Sequence, residues 1–288
     1  MMTLGVCFVV PTYGATRLLP DAELQARFPI FALESHMTSY GWSLDVTSTG
    51  QVIVGGPAMR QGRAKLYRRI TNNDKPVPLL RNNLAKFSFG YSVAFGRYFD
   101  EDILKINYAV STPYGLNGQG RVYFFDGATL KKEEFTITDD NIGSLFGAAL
   151  CTVNLGDRRD SLLVGAPVFV EDSQCHDRGA VYIYIPAMGR ALTNIKVIRG
   201  SSNGARFGSA IASLGDMDDD MKDEVAIGAP YEDDGRGAVY IYSGARLLDM
   251  NQQGDQMLIQ RIQPADASLR YFGFSLTNLL DYDQNGCN

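Results

Sequence analysis

A chain of 288 residues with a formal net charge of −5 is long enough for one large all-β domain or two ordinary ones. The mild acidity, with no basic run interleaved with aromatics, excludes a nucleic-acid binder, and no apolar run reaches the roughly 18–20 residues of a membrane span. Four scattered cysteines (Cys7, Cys151, Cys175, Cys287) with no Cys-x-x-Cys pair, and two isolated histidines (His36, His176), argue against zinc or thioredoxin chemistry.

In chain order, "MMTLGVCFVVP" reads as a strand, because it lacks a basic n-region and a small-residue cleavage site. Residues 21–35, "DAELQARFPIFALES", allow one turn of helix, broken at Pro29. From Tyr40 the chain repeats itself. "YGWSLDVTSTGQVIVGGPAMRQGRAKLYR" is followed by copies starting at Phe89, Phe146, Phe207 and Phe272. The period of roughly 50–65 residues is near that of propellers and repeat arrays.

Each copy has one grammar. An aromatic-Gly pair opens an apolar segment, and a polar turn follows. A β-branched run then closes on Gly-x-Pro, as in "LLVGAP", "VAIGAP" and "VIVGGP". A Gly-containing loop leads to "GAVYIY", "GRVYFF" or "GRAKLY", and a fourth segment such as "NIKVIRG" leads to the next copy. Short runs rich in Val, Ile, Tyr and Phe, bounded by Gly, Pro, Asn and Asp, are strands. Four strands per copy make one propeller blade, so the expected class is all-β. Cys151 falls inside an apolar run and reads as core.

The densest feature is "GDMDDDMKDEVAIGAPY", Gly215–Tyr231. Like charges this close destabilise one another unless something neutralises them. With Asp216 as position 1, Asp218, Asp220, the Lys222 carbonyl and Glu224 follow at positions 3, 5, 7 and 9. This alternation of oxygen donors suits calcium, which takes six to eight oxygens in flexible geometry. It is not an EF-hand, because position 12 is Ile227 and the flanks read as strand. Met221 stands where a glycine is usual, so a positive φ there would be strained. Asp219 and Asp223 are expected to face water. The last copy offers Asp281, Asp283, Asn285 and the Cys287 carbonyl, with Gly286 in the usual place. The Phe89 copy offers a weaker set, Asp100, Asp102 and Asn107, with Tyr98 at position 1. The Phe146 copy has lost the spacing, and Arg158 and Arg159 supply positive charge there.

This grammar resembles the FG-GAP repeats of the integrin α-subunit propeller, whose acidic loops bind calcium. The family propeller has seven blades. The resemblance implies that residues 1–39 are the outer strand of a preceding blade plus a connecting loop. Residues 40–88, 89–145 and 146–206 are then blades, 207–271 a blade with the calcium loop, and 272–288 the start of a truncated blade. The ring would be incomplete, with about four whole blades and parts of two, as in a fragment or a shortened gene product. Open edges expose unpaired strand groups, so poor solubility is expected of the chain alone.

The resemblance also implies a cell-surface adhesion receptor. It would pair with an integrin β subunit and bind an extracellular-matrix or cell-surface protein ligand, with any membrane span outside this chain. Trp42, Tyr91, Tyr271 and Phe274 would form a cation–π cage for a basic residue of the β subunit. Ala148 and Ser209 leave gaps in it, and Arg60 is the candidate ligand contact. The alternative is a secreted FG-GAP binding module, such as the non-catalytic propeller of a phospholipase. No enzyme is expected. "GSSNG", Gly200–Gly204, matches the serine nucleophile elbow but sits at an inter-blade turn, without the required strand-to-helix context.

Overall fold

The computed structural model describes residues 42–47, 51–57, 63–67, 77–79, 88–100, 102, 105–171 and 176–277. The helical turn expected within 21–35, the candidate ligand contact Arg60, and the last acidic loop with Asp281, Asp283, Asn285 and Cys287 lie outside the described residues.

Among the described residues, sixteen strands form four sheets. The first is β1 (Ser43–Val46), β2 (Val52–Gly56), β3 (Arg63–Tyr67) and β4 (Val77–Pro78). The second is β5 (Val93–Gly96), β6 (Asn107–Thr112), β7 (Arg121–Asp126) and β8 (Lys132–Thr138). The third is β9 (Ala149–Val153), β10 (Ser161–Ala166), β11 (Ala180–Pro186) and β12 (Leu192–Arg199). The fourth is β13 (Ala210–Gly215), β14 (Glu224–Ala229), β15 (Ala238–Tyr242) and β16 (Leu258–Ile262). In each, sequence neighbours pair antiparallel. We call these blades A to D. The first strands meet in succession, β1 on β5, β5 on β9 and β9 on β13, so the sheets radiate from a common centre as a four-bladed β-propeller.

Burial explains why strand patterns differ within a blade. β6, β10 and β14 are buried along their whole length. They therefore read as continuous apolar runs. The outer strands β12 and β16 are largely half-buried or exposed: β12 buries only Leu192 and Ile198, and β16 buries no residue fully. The core lies between blades. Ile53, Leu66, Phe89 and Phe125 join A to B, Phe124, Phe146, Leu162 and Tyr182 join B to C, and Leu163, Ile183, Phe207 and Ile227 join C to D. The opening aromatics Phe89, Phe146 and Phe207 pack on their own blades' third strands. Phe146 meets Tyr182 at 5.0 Å and Phe207 meets Tyr240 at 5.5 Å, both edge-on.

The two glycine motifs are halves of one contact. The opening glycines Gly147 and Gly208 sit at φ +92° and +86°, and their N–H groups donate to Gly165 O (2.9 Å) and Gly228 O (3.0 Å) of their own blades. The carbonyl of Gly208 then presses on Gly165 of the preceding blade, so closely that a Cβ at Gly165 would lie 2.1 Å from that oxygen. Gly55 meets Gly90, and Gly228 meets Gly273, in the same way, at 2.1 and 2.0 Å. Blade B carries Ser111 at this position. Its hydroxyl folds back onto β5, accepting from Ser92 N at 2.9 Å. The residue before each aromatic is also left-handed without being glycine: Ser88, Leu145, Arg206 and Tyr271 lie at φ +59°, +57°, +53° and +61°. Each such residue costs about 1–2 kcal/mol, which the inter-blade packing offsets.

Candidate metal centre and aromatic upper face

The acidic stretch is the turn from β13 to β14. A register shift between Ser213 and Gly215 ends β13 and throws the chain outward. Asp216 then winds the turn on itself, accepting from Asp220 N (3.0 Å, Oδ1) and Met221 N (2.8 Å, Oδ2), while Asp220 Oδ1 accepts from Lys222 N at 2.9 Å. The turn needs left-handed backbone at Asp219 (φ +63°) and Met221 (φ +66°). Met221 thus adopts the strained conformation that its place in the motif implied, and its side chain points into solvent.

One carboxylate oxygen from each of Asp216, Asp218 and Glu224 lies within 4.8 Å of the others. Asp216 and Asp218 are exposed, whereas Glu224, the first residue of β14, is buried. Its oxygens accept from Met217 N (2.7 Å) and Gly244 N (3.3 Å). Burial pushes the Glu224 carboxyl above the usual carboxylate range. Its two N–H donors pull the other way, and the charges of Asp218 and Asp220 add to the rise. Carboxylate oxygens that already accept an N–H retain lone pairs. Three carboxylates, from Asp216, Asp218 and Glu224, therefore converge as oxygen donors of the kind that suits a hard divalent cation, while Asp220 lies outside that group.

Asp223 departs from expectation. It does not face water. Its Oδ2 accepts from Ser213 Oγ (2.8 Å) and from Asn154 N of blade C (3.0 Å), while Asp223 N donates to Asn154 O (2.8 Å). Asp160 clips blade C to blade B in the same way, through Arg97 N (2.8 Å) and the Arg97 guanidinium (2.9 Å). In blades C and D the residue just before the second strand is thus an inter-blade hook. The spacing within one copy gives no hint of it, because the partner lies in the preceding copy.

The other loops hold themselves differently. In blade B, Tyr98 stands at position 1, fully buried, with its hydroxyl 2.6 Å from Thr152 Oγ. Asp100 is held by Arg190 Nη1 (2.9 Å) and Lys105 Nζ (3.5 Å), Asp102 is exposed, and Asn107 is buried in β6. In blade C, Arg159 pairs with Asp157 (3.7 Å) and donates to Ala187 O (2.8 Å). Among the described residues, Asp216, Asp218 and Glu224 are the acidic group drawn together.

The four cage candidates lie at the opposite edge, where first strands begin and second strands end. Trp42 and Tyr91 approach at 5.5 Å between ring centroids, and Tyr91 meets Tyr114 at 6.1 Å. Tyr271 packs instead on Tyr231 (5.2 Å), over which the Arg206 guanidinium sits at 4.8 Å while bonded to Asp177 (2.9 Å). Phe274 is exposed. Tyr114 and Tyr231 each follow the proline that ends the Gly-x-Pro run or its variant, and that repeated position was the signal that could have found them. Gly200–Gly204 is a turn between β12 and β13 with no helix after it, so Ser202 is not raised on an elbow. Cys151 is a buried free thiol, with burial pushing its pKa up to about 12.

The FG-GAP repeat family matches residues 207–242, the span from the opening aromatic of blade D to the end of β15. The chain is 37% identical to integrin alpha-4 of Xenopus laevis over 98% of its own length, and 31% identical to integrin alpha-5 of the same species over 85%. It is 30% identical to integrin alpha-PS3 of Drosophila melanogaster over 78%. It spans 27%, 25% and 21% of those three proteins. Glycine contacts, an acidic turn and a bladed fold recur in the order that these likenesses require: the chain belongs to the integrin α family, within its FG-GAP propeller.

Proposed function

We propose that this propeller is the extracellular head region of an adhesion receptor. It would pair with an integrin β subunit and engage an extracellular-matrix or cell-surface protein ligand, with calcium stabilising the blades. The observation that carries the pairing is the aromatic group Trp42–Tyr91–Tyr114, exposed at Trp42 and Tyr114 and half-buried at Tyr91, gathered where the first strands open. Ring faces left in solvent receive a cation, preferably arginine or lysine. Tyr271 and Phe274 belong to the same rim in this reading, and Arg60 is the contact for an acidic ligand. Calcium would be held by the Asp216, Asp218, Asp220 and Glu224 carboxylates with the Lys222 carbonyl. The second loop, Asp281, Asp283, Asn285 and the Cys287 carbonyl, is a further candidate. Bound calcium supplies charge neutralisation: it relieves the repulsion among carboxylates that the turn already brings together. The residues 1–39 and 272–288 are read as parts of neighbouring blades. A secreted FG-GAP module is not favoured, since the likeness to integrin α subunits runs along most of the chain.

Co-expression with integrin β subunits, followed by co-precipitation, tests the pairing. Capture that falls when Trp42 and Tyr91 are both changed to Ala supports it. Capture by no β subunit, or capture unaffected by the double change, contradicts it.

A further inference from the structure

The acidic turn contains a positive charge that calcium ligation does not use. Only the carbonyl of Lys222 is needed at position 7, yet its side chain is directed back into the turn. Lys222 Nζ donates to Asp220 O at 3.1 Å and lies 3.9 Å from Asp220 Oδ2. The stem runs beside Gly156 of blade C and Gly244 of its own blade. A Cβ on Gly156 of blade C would meet Lys222 Cγ and Cε at 3.4 Å, and one on Gly244 would meet Lys222 Cβ at 3.0 Å. The side chain is only 28% exposed, unlike a lysine extended into solvent.

We propose that Lys222 is a built-in counter-ion of this site. Its ammonium partly neutralises Asp220 and the neighbouring carboxylates, holding the turn closed without metal and lowering its affinity for a divalent cation. The inference rests on the calcium reading given above. Two requirements are met by the geometry. The ammonium sits on a candidate ligand residue, and its stem runs close to Gly156 of the neighbouring blade. Asp216 and Asp220 wind the turn through their own hydrogen bonds, so the carboxylates converge with the lysine present. A unit positive charge a few ångströms from a divalent ion in a solvated turn shifts affinity by about tenfold, and salt screens the effect.

The test is calorimetric titration of calcium chloride into the full chain and into its K222M and K222R variants, with thermal melts of the calcium-free and calcium-saturated forms. Both substitutions keep the backbone carbonyl. The expected result is that K222M binds calcium about tenfold more tightly than wild type at ~0.1 M salt. That advantage should shrink towards none in ~1 M salt, while K222R behaves like wild type. Calcium-free K222M should melt lower than wild type and gain more on saturation. Equal affinity of K222M and wild type, both binding, overturns the inference and leaves the calcium reading standing. A wild-type chain that binds no calcium removes both.

Discussion

Gly165→Ala tests the glycine contact that joins successive blades. Gly165 does not need left-handed backbone, so the change introduces no φ strain and the effect is one of contact. The new methyl would lie 2.1 Å from Gly208 O and 3.2 Å from Ala149 Cβ. A carbon and a carbonyl oxygen rest at about 3.3 Å or more, so blade D must retreat by roughly 1 Å. The carbonyl does not simply turn aside, because the peptide it shares with Ser209 is held by Ser209 N donating to Arg206 O at 3.2 Å. Retreat loosens the cluster of Leu163, Ile183, Phe207 and Ile227 between blades C and D. Overpacking against rigid backbone then costs about 3 kcal/mol, at the upper end of the usual range, or a Tm about 6–12 °C lower in a domain of this size. Circular dichroism melts of the wild-type and variant chains measure it. Ser111→Ala serves as the contrast, since blade B already accommodates a side chain there and loses only the hydroxyl's bonds to Ser92, about 1 kcal/mol. A Gly165→Ala chain melting within about 1 °C of wild type would refute the contact as the reason for the motif.

Asp223→Ala removes the hook on Asn154 and should destabilise by about 2–3 kcal/mol, read as a lower urea midpoint with little change in slope. Lys196 Nζ on β12 donates to Asp249 O (2.7 Å) and Gln252 O (3.0 Å) of blade D, so Lys196→Met should speed amide exchange selectively across residues 244–257. Burial holds the Asp45 carboxyl up at about 7, despite N–H bonds from Phe95 (3.0 Å) and Val46 (2.9 Å). The folded chain therefore binds this proton between its unfolded value near 4 and about pH 7, where the unfolded chain does not. The contribution of Asp45 to stability falls as pH rises through that window. Asp45→Asn should flatten the dependence and raise the Tm at pH 7.5 by several degrees, and an unchanged slope of Tm against pH would count against the assignment.

Strands and blades were legible because their cause is local. Runs such as "VAIGAP" and "GAVYIY" are apolar along their length since they are buried almost throughout. The acidic turn was legible because its ligand types recur at alternate residues, and Met221 showed in advance where backbone strain would fall. The hooks at Asp160 and Asp223 were not legible, since each bonds a residue more than sixty positions earlier. The same holds for Lys196, whose acceptors are carbonyls that any sequence offers. Asp45, a lone acid in the strand "SLDV", could have been flagged as a charge in an apolar setting, but its partner Phe95 belongs to the next blade.

Hydrogen exchange on the full chain, with and without millimolar calcium, tests the central claim most directly. The amides of Met217, Asp220, Met221 and Lys222 in the turn, and that of Gly244, are bonded to candidate ligand side chains. Calcium should slow their exchange well beyond any change elsewhere in blades A to C, and Asp218→Asn should abolish the slowing. Equal exchange across residues 215–224 with and without calcium would contradict the account.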